Sequence, residues 1–483
     1  MSVDPGASQA RRQHRPRRGG CRRCRELKKQ NRALGQENGA LKAQVQRLER
    51  QVEAAERAGK RQAAPFSKGH PKRCPRTPGR RPGATYGVRA RRTIPEPVDE
   101  TVEVALPPIC PACGGAVELR GVSDQYQTDL PPIRPHVTHF RIQLGTCRDC
   151  GKAVRGRHPV QTSTAVGAAA AQLGPQAVAL AAHLNKGLGL SFEKCCVLYQ
   201  TAFGICVSRG GLCQALHRLA RATEPTYQGL VQSVRQAPVL SPDETGWKVG
   251  GVLQWLWVFA TPDLTVYAIQ DGRGFDEAAR VLGADFSGVL IRDGWAPYRG
   301  FAEALHQSCL AHLLRRCRRL IDEAVAGAAR FPHAVRRILL QSLELRERFC
   351  REEISRHGLG VATGRLETRM DRLLQGKIHY PPNRRFLKHL VREQPHLFTF
   401  LRAPGVEATN WWSEQAIRPA VVIRKVWGGN RTEAGAATQQ ILASVLSTCR
   451  KQGRSPFAVL RDLYCSPQPA MIRFDPASPS QPP

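Results

Sequence analysis

No stretch of this 483-residue chain approaches the roughly 20 consecutive apolar residues that a membrane-spanning helix requires. The basic N-terminus has no apolar core behind it, so it does not read as a secretory signal. Acid is scarce at the start: residues 1–95 hold 26 Lys and Arg against 6 Asp and Glu. About +20 of the formal net charge of +34 therefore lies in that arm. A polyanion is the expected partner, because each neutralised phosphate releases counterions. The 16 cysteines, without an export signal, read as mainly free thiols in a reducing cytosol, some of them bound to metal. The length leaves room for two to four domains.

Residues 1–20 are rich in Arg, Gly and Pro and read as a disordered tail. Leu27, Leu34, Leu41 and Leu48 then recur every seven residues. With these at d, the a positions hold Asn31, Asn38, Val45 and Val52, a pattern that favours a parallel two-stranded coiled coil with Asn fixing register. Gly35 and Gly39 weaken the helix by up to ~1 kcal/mol each. Residues 58–95 carry Pro and Gly throughout and read as an extended basic linker, with Arg80 and Arg81 as candidate DNA contacts.

Cys110-Pro-Ala-Cys113 and Cys147-Arg-Asp-Cys150 are each followed by Gly. Two such knuckles supply four thiolates for tetrahedral Zn²⁺, a closed and hence structural site. Partial β character at 125–130 and 136–144 predicts two strands in the gap. Cys21 and Cys24 repeat the spacing in a basic run with no partner pair, and metal is not expected there. Residues 165–235 are Ala- and Leu-rich and predict helix, Gly-containing turn, helix, with Ser208 capping the second. Such hairpins either read a major groove or simply pack.

Val239-Leu240 leads into Asp243. Val252–Ala260 and Leu264–Gln270 predict an antiparallel hairpin around a Thr261-Pro-Asp turn, and Phe275–Leu282 a short helix. Val289-Leu-Ile predicts a buried strand that ends at Arg292-Asp293-Gly294. Glu414 opens a predicted helix that Pro419 is expected to end or kink. Three carboxylates brought together suit two Mg²⁺ ions about 3.5–4 Å apart, which prefer oxygen ligands. Glu244, Asp263, Asp271 and Glu433 are rival acids, although Asp263 suits a turn and Glu244 should point away from Asp243. Cys309 and His312 read as packed structural groups, and His306 as a surface residue.

Several segments together carry a family resemblance. These are Pro242-Asp-Glu-Thr-Gly-Trp, Trp255-Leu-Trp-Val, Arg292-Asp-Gly-Trp-Ala-Pro-Tyr, Cys309-Leu-Ala-His312-Leu-Leu-Arg-Arg, and Thr409-Asn-Trp-Trp-Ser-Glu-Gln-Ala-Ile-Arg-Pro with Ile423-Arg-Lys425. The chain resembles the insertion sequence 66 family of bacterial transposases over nearly its whole length. The resemblance implies a multidomain α/β protein with an RNase H-like core and a DDE triad, here Asp243, Asp293 and Glu414. It implies catalytic Mg²⁺ or Mn²⁺ besides the structural Zn²⁺, and cleavage of element ends followed by joining of the freed 3′-hydroxyl to target DNA. Terminal inverted repeats, target DNA and accessory element-encoded proteins are the implied partners, with a homo-oligomer of at least two chains in the bacterial cytoplasm. Arg418 is placed to bind phosphate or hold the Glu, and Arg424 and Lys425 to contact the DNA backbone. Trp411 and Gln415 stand where the family usually has Asn and Arg.

The expected order is tail (1–20), leucine-zipper coil (21–57), linker (58–105), zinc-ribbon-like domain (106–160) and helix-turn-helix-like DNA-binding segment (165–235). There follow the first part of the core (236–320), a helical insertion (321–405), the final part (406–452) and a C-terminal tail (453–483). A DNA-binding regulator or a domesticated remnant would share the coil, linker and cysteines. Only the acids discriminate, because a regulator has no use for them.

Overall fold

A computed structural model describes residues 94–466 except 132, 168–170 and 326, together with helical positions between 23 and 48. Arg80, Arg81, Cys21, Cys24 and Val52 lie outside the described residues. The chain divides into two units, Met1–Pro97 and Val98–Pro483.

In the first unit residues 29–41 are helical despite Gly35 and Gly39. Leu27, Leu34, Leu41 and Leu48 are all helical and all about half exposed, from 52% to 55%. One repeating seam of apolar side chains therefore faces solvent within this chain.

The second unit begins with the cysteine knuckles. A short antiparallel ribbon, β1 (Leu144–Thr146) and β2 (Ala153–Arg155), flanks Cys147–Cys150. The strand expected at 125–130 does not form among the described residues, and that at 136–144 shrinks to Leu144 at the start of β1. The side chains there are largely exposed, so no packing partner rewards extension into a sheet.

Helices α1 (Pro175–Ala182, continued by a π-helical turn His183–Gly187), α2 (Phe192–Phe203) and α3 (Arg209–Arg235) follow. Ser191 and Ser208 cap α2 and α3, accepting from Lys194 N at 3.3 Å and Gly211 N at 3.0 Å. This is the predicted helix–turn–helix connectivity, but α3 is 27 residues long and buries a full apolar stripe from Leu212 to Val234. It packs into the same core as the sheet, so no core boundary falls at 235.

Strands β3 (Val239–Val249), β4 (Val252–Ala260), β5 (Thr265–Gln270), β6 (Val289–Arg292) and β7 (Leu305–Ser308) form one sheet in the order β5-β4-β3-β6-β7. The first three are antiparallel neighbours, and β6 and β7 run parallel to β3. Helix α4 (Phe275–Leu282) lies between β5 and β6 in the chain. Then come α5 (Leu310–Asp322), α6 (Arg330–Cys350), α7 (Arg356–Leu374), α8 (Pro381–Glu393) and the single turn α9 (Thr399–Arg402). The chain closes with α10 (Trp411–Trp427), α11 (Glu433–Lys451) and α12 (Pro456–Cys465).

The near-continuous apolar run of β4 is explained by burial on both faces. Trp257 and Phe259 enter a core shared with α1, α3, α11 and α12, whereas Leu256, Val258 and Ala260 enter a second core under α5–α8 and α10. Residues 453–483 are not simply a tail: α12 buries Val459, Leu460 and Leu463 in the first core.

The outer edge of β5 is sealed by α11. Gln440, Ser444 and Thr448 accept from the backbone N–H groups of Ile269, Tyr267 and Thr265 at 3.0, 2.9 and 3.1 Å. Four helical residues advance about 6 Å and two strand residues about 6.8 Å, so the two repeats stay in step for three contacts. An edge that would otherwise template another strand is thereby satisfied.

Candidate active site

Register explains how two of the acids meet. Val239 pairs with Val289 and Leu240 with Leu290 across the parallel β3–β6 ladder. The paired stretch ends there; Asp243 lies three residues beyond Leu240 on β3, and Asp293 three beyond Leu290, just past the last residue of β6. Glu414 arrives from α10, in the first turn. Its neighbour Ser413 is fully buried, with Oγ 2.8 Å from Ser241 Oγ and donating to Pro242 O at 3.3 Å. Helix α10 is thus pinned to β3 one and two residues before Asp243.

Asp293 and Glu414 both lie near enough to act on Asp243. Burial first, then Glu244, Asp293 and Glu414, push the Asp243 carboxyl up to about 7, against an opposing hydrogen bond from Glu244 N at 2.9 Å. Asp293 Oδ1 accepts from Trp295 N at 2.9 Å, which fixes the turn that ends β6. Gly294 is required there, because a Cβ would come within 2.4 Å of the His389 ring.

The rival acids are otherwise engaged. Glu244 is buried, paired with Arg273 at 2.6 Å and hydrogen-bonded by Tyr298. The Arg273 guanidinium lies over Trp295 at 3.9 Å and Trp255 at 4.8 Å. Asp263 accepts from Thr261 in the β4–β5 turn at 2.6 Å, Asp271 pairs with Arg280 at 2.8 Å, and Glu433 accepts from Gln254 at 2.9 Å.

Glu414 is held by residues that sequence reasoning did not select for that role. Arg315 Nη2 lies 2.8 Å and His312 Nε2 3.6 Å from Glu414 Oε1. Both come from α5, and His312 and Arg315 share a helical face at i,i+3. The clue was the Cys309-Leu-Ala-His312-Leu-Leu-Arg segment, but nothing local says that it faces a residue 99 positions away. Arg418 is exposed and donates to Gln415 Oε1 at 3.2 Å.

Two expectations are corrected. Pro419 does not end α10, which continues to Trp427 because Ile423 is buried and Arg424 bonds Thr245 Oγ1 at 2.9 Å and the Gly246 carbonyl. Arg424 therefore clamps α10 to β3, while Lys425 is exposed. His306 is not a surface residue: it is 7% exposed, accepts from Arg292 Nε at 3.1 Å, and burial with the nearby Arg292 charge lowers its pKa to about 4. Strand β7 is covered by the inserted helices, which the local sequence does not announce.

Behind Asp293 lies a buried ion pair. Arg292 and Glu393 side chains are 0% exposed and 2.7 Å apart. Arg292 Nη1 also donates to the Asp293 carbonyl at 3.1 Å, and Ser308 Oγ donates to Glu393 at 2.6 Å. Helix α8 of the insertion thus braces the peptide that carries Asp293.

The cysteine knuckles form locally. Cys110 N donates to Gly115 O at 2.8 Å and Cys147 N to Lys152 O at 2.8 Å. Gly114 and Gly151 take φ of +74° and +64°, which accounts for a Gly after each pair. Backbone N–H groups of Ala112 and Cys113, then the Cys113 thiol, lower the Cys110 pKa; Cys150 and Asp149 backbone groups, then the Cys150 thiol, do the same for Cys147. Each turn therefore favours a thiolate, the form that binds metal. Among the described residues the group of three or more ligand atoms mutually within 4.8 Å is Cys309, His312 and Glu414; neither the four knuckle sulfurs nor the carboxylates of Asp243, Asp293 and Glu414 reach that separation as a set.

Residues 170–438, more than half of the chain, match the model of the Transposase IS66 family. The chain belongs to that family. Among curated relatives, uncharacterized protein y4qI of Sinorhizobium fredii (strain NBRC 101917 / NGR234) is 26% identical over 282 residues, 52% of each chain. Uncharacterized protein y4jD of the same strain is 26% identical over 394 residues, 73% of each chain. The first match thus spans about half of that relative's length. The family match takes in Asp243, Asp293 and Glu414 as well as all of α1–α10. Trp411 and Gln415 are both exposed near the start of α10, on either side of Glu414 in the chain. No helix among the described residues is long and apolar enough to cross a membrane.

Proposed function

We propose that this chain is a metal-dependent DDE transposase whose active site is Asp243, Asp293 and Glu414. The observation that carries the reading is placement: Asp243 on β3 and Asp293 just past β6 come from neighbouring parallel strands, and Ser413, next to Glu414, bonds α10 to β3 at Ser241 and Pro242. Asp243, Asp293 and Glu414 are all half-buried, and holding the Asp243 carboxylate near other acids costs stability that a bound cation would offset. The sheet order, three antiparallel strands followed by two parallel ones, supports an RNase H-like core.

The donor set fits a hard divalent cation, since all three groups offer carboxylate oxygens. Bound Mg²⁺ or Mn²⁺ would activate a water or a 3′-hydroxyl and stabilise the departing oxyanion in phosphodiester cleavage and joining. The chain's own residues do the positioning. Ser413 and Arg424 fix α10 on β3, Arg292 holds the peptide of Asp293, and Arg315 with His312 sets the rotamer of Glu414. Exposed Arg418 and Lys425 on α10 supply phosphate contacts, with Arg80 and Arg81 in the basic arm as further candidates. The solvent-facing leucines of residues 27–48 are read as the seam that pairs protomers, and the helical segment as DNA-binding. Accessory proteins encoded by the same element are expected partners in the cytoplasm.

The test is cleavage of a labelled element end in Mg²⁺ or Mn²⁺. Asp293→Asn should lower nicking on the order of 10³-fold or more, the scale on which groups acting as one catalytic unit fail when one is removed. Equal nicking by parent and variant would reject the active site. The knuckles carry a separate expectation: Cys113→Ser should remove one equivalent of structural zinc, and unchanged zinc content would reject the ribbon.

The competing reading, a DNA-binding protein without catalysis, is favoured by no particular feature of the acids. It predicts end binding with no nicking by either protein.

A further inference from the structure

The α5 side of Glu414 has a different chemistry from the acid side. Cys309, at the N-cap of α5, is 2% exposed. Its sulfur accepts from Asn410 N at 3.4 Å. His312 lies one turn on, and one ligand atom from each of Cys309, His312 and Glu414 falls within 4.8 Å of the others. Ligand atoms around a tetrahedral Zn²⁺ are separated by about 3.5 Å, given bonds of about 2.0–2.3 Å. His312 Nε2 and Glu414 Oε1 already stand 3.6 Å apart. His312 Nδ1 is buried without a hydrogen-bond partner, so no protein hydrogen bond fixes the tautomer of the ring from that side.

We propose that Cys309, His312 and Glu414 form a second cation site, selective for a borderline-soft ion such as Zn²⁺, which shares Glu414 with the acidic triad. The proposal rests on the triad reading only for that sharing. Sulfur and imidazole ligands suit Zn²⁺ or Co²⁺ far better than Mg²⁺, whereas two aspartates suit Mg²⁺. Three protein ligands leave the fourth position for water, so the site is open rather than closed. Arg315 now occupies Glu414 Oε1, but its side chain is 62% exposed and can swing into solvent when the cation enters. Binding displaces the Cys309 proton to solvent. Because Glu414 serves both sites, zinc occupancy draws it toward α5 and away from Asp243 and Asp293. Zinc is then an inhibitor of the hard-metal reaction acting through a shared ligand.

The experiment uses the full chain, stripped with chelator and reloaded with Co²⁺ or Zn²⁺. Bound zinc is counted by elemental analysis, and thiolate–Co²⁺ charge-transfer absorption is recorded. Cys309→Ser and His312→Ala should each lose one equivalent relative to the parent, with circular dichroism confirming the fold. His312 is partly exposed, so its variant keeps the test valid should Cys309→Ser unfold. Asp243→Asn and Asp293→Asn should retain that equivalent, so failure of the active-site reading shows in their nicking and not in their zinc content. The zinc concentration that halves Mg²⁺-dependent nicking should rise at least about 10-fold in His312→Ala, the lower end of the loss seen when even an outer partner of a metal ligand is removed. Equal zinc content in His312→Ala and parent would overturn the site. A loss in Cys309→Ser alone would overturn it equally, because three ligands are required.

Discussion

Glu393→Ala is expected to destabilise the protein by about 3–5 kcal/mol, because it leaves the Arg292 guanidinium buried and uncompensated. The pair is fully buried, and Arg292 already has one unsatisfied nitrogen, Nη2. Denaturant melts of parent and variant measure the loss directly. A double replacement, Arg292→Met with Glu393→Leu, should recover most of it, since apolar residues of similar volume often match a buried ion pair. A loss below about 1 kcal/mol would mean that the guanidinium finds water in the folded state. The pH dependence has a definite sign. Burial, the largest influence, raises the Glu393 pKa, but Arg292 and Ser308 more than offset it and hold it below the ordinary value. The pair's contribution is therefore complete above the unfolded glutamate pKa and disappears as pH falls through the depressed folded value. Because Arg292 also holds the Asp293 carbonyl, the variant should impair nicking beyond what lost folded protein explains.

Asp243 should behave in the opposite way. Its folded pKa of about 7 lies above the unfolded value, so the folded state holds the proton more tightly. Stability should then fall as pH rises from about 4 to about 7, by on the order of 3–4 kcal/mol. Asp243→Asn removes the charge at nearly constant shape. Without divalent cation it should melt higher than the parent at pH 8 and close to it at pH 4. Mg²⁺ or Mn²⁺ should raise the melting temperature of the parent at pH 8 and leave the variant nearly unmoved, since binding to the folded state alone stabilises it. A variant no more stable than the parent at pH 8 would mean that Asp243 ionises freely in the apo protein.

The strands of the site were legible because their signals are local. Apolar runs and a Thr-Pro-Asp turn predict β4, β5 and β6, with Asp293 at the end of β6; Asp243 was expected at a strand end, whereas β3 continues past it to Val249. The Ser208 cap was readable for the same reason. The missed features are contacts between residues far apart in the chain. Arg315 meets Glu414 across 99 positions, and Arg292 meets Glu393 across 101. Gln440, Ser444 and Thr448 are ordinary polar helix residues until an unpaired strand edge 171 to 183 positions away is set against them. Pro419 does not stop its helix and His306 is not at the surface, because local preference yields to packing: α10 is held on both sides of the proline, and β7 is bonded by α8 and α9. Helix α12 was taken for part of a tail because ten residues give too short a period to distinguish a docked helix.

Fe²⁺ substituted for Mg²⁺ and driven with ascorbate and peroxide cuts the backbone beside its own ligands, which makes it a direct probe of whether three distant acids share a cation. Mapped by mass spectrometry, the cuts should cluster near Asp243, Asp293 and Glu414 together, and Mg²⁺ in excess or Asp293→Asn should suppress all three at once. Cuts at one of these positions alone, or at three positions that respond independently to Asp293→Asn, would contradict a common site.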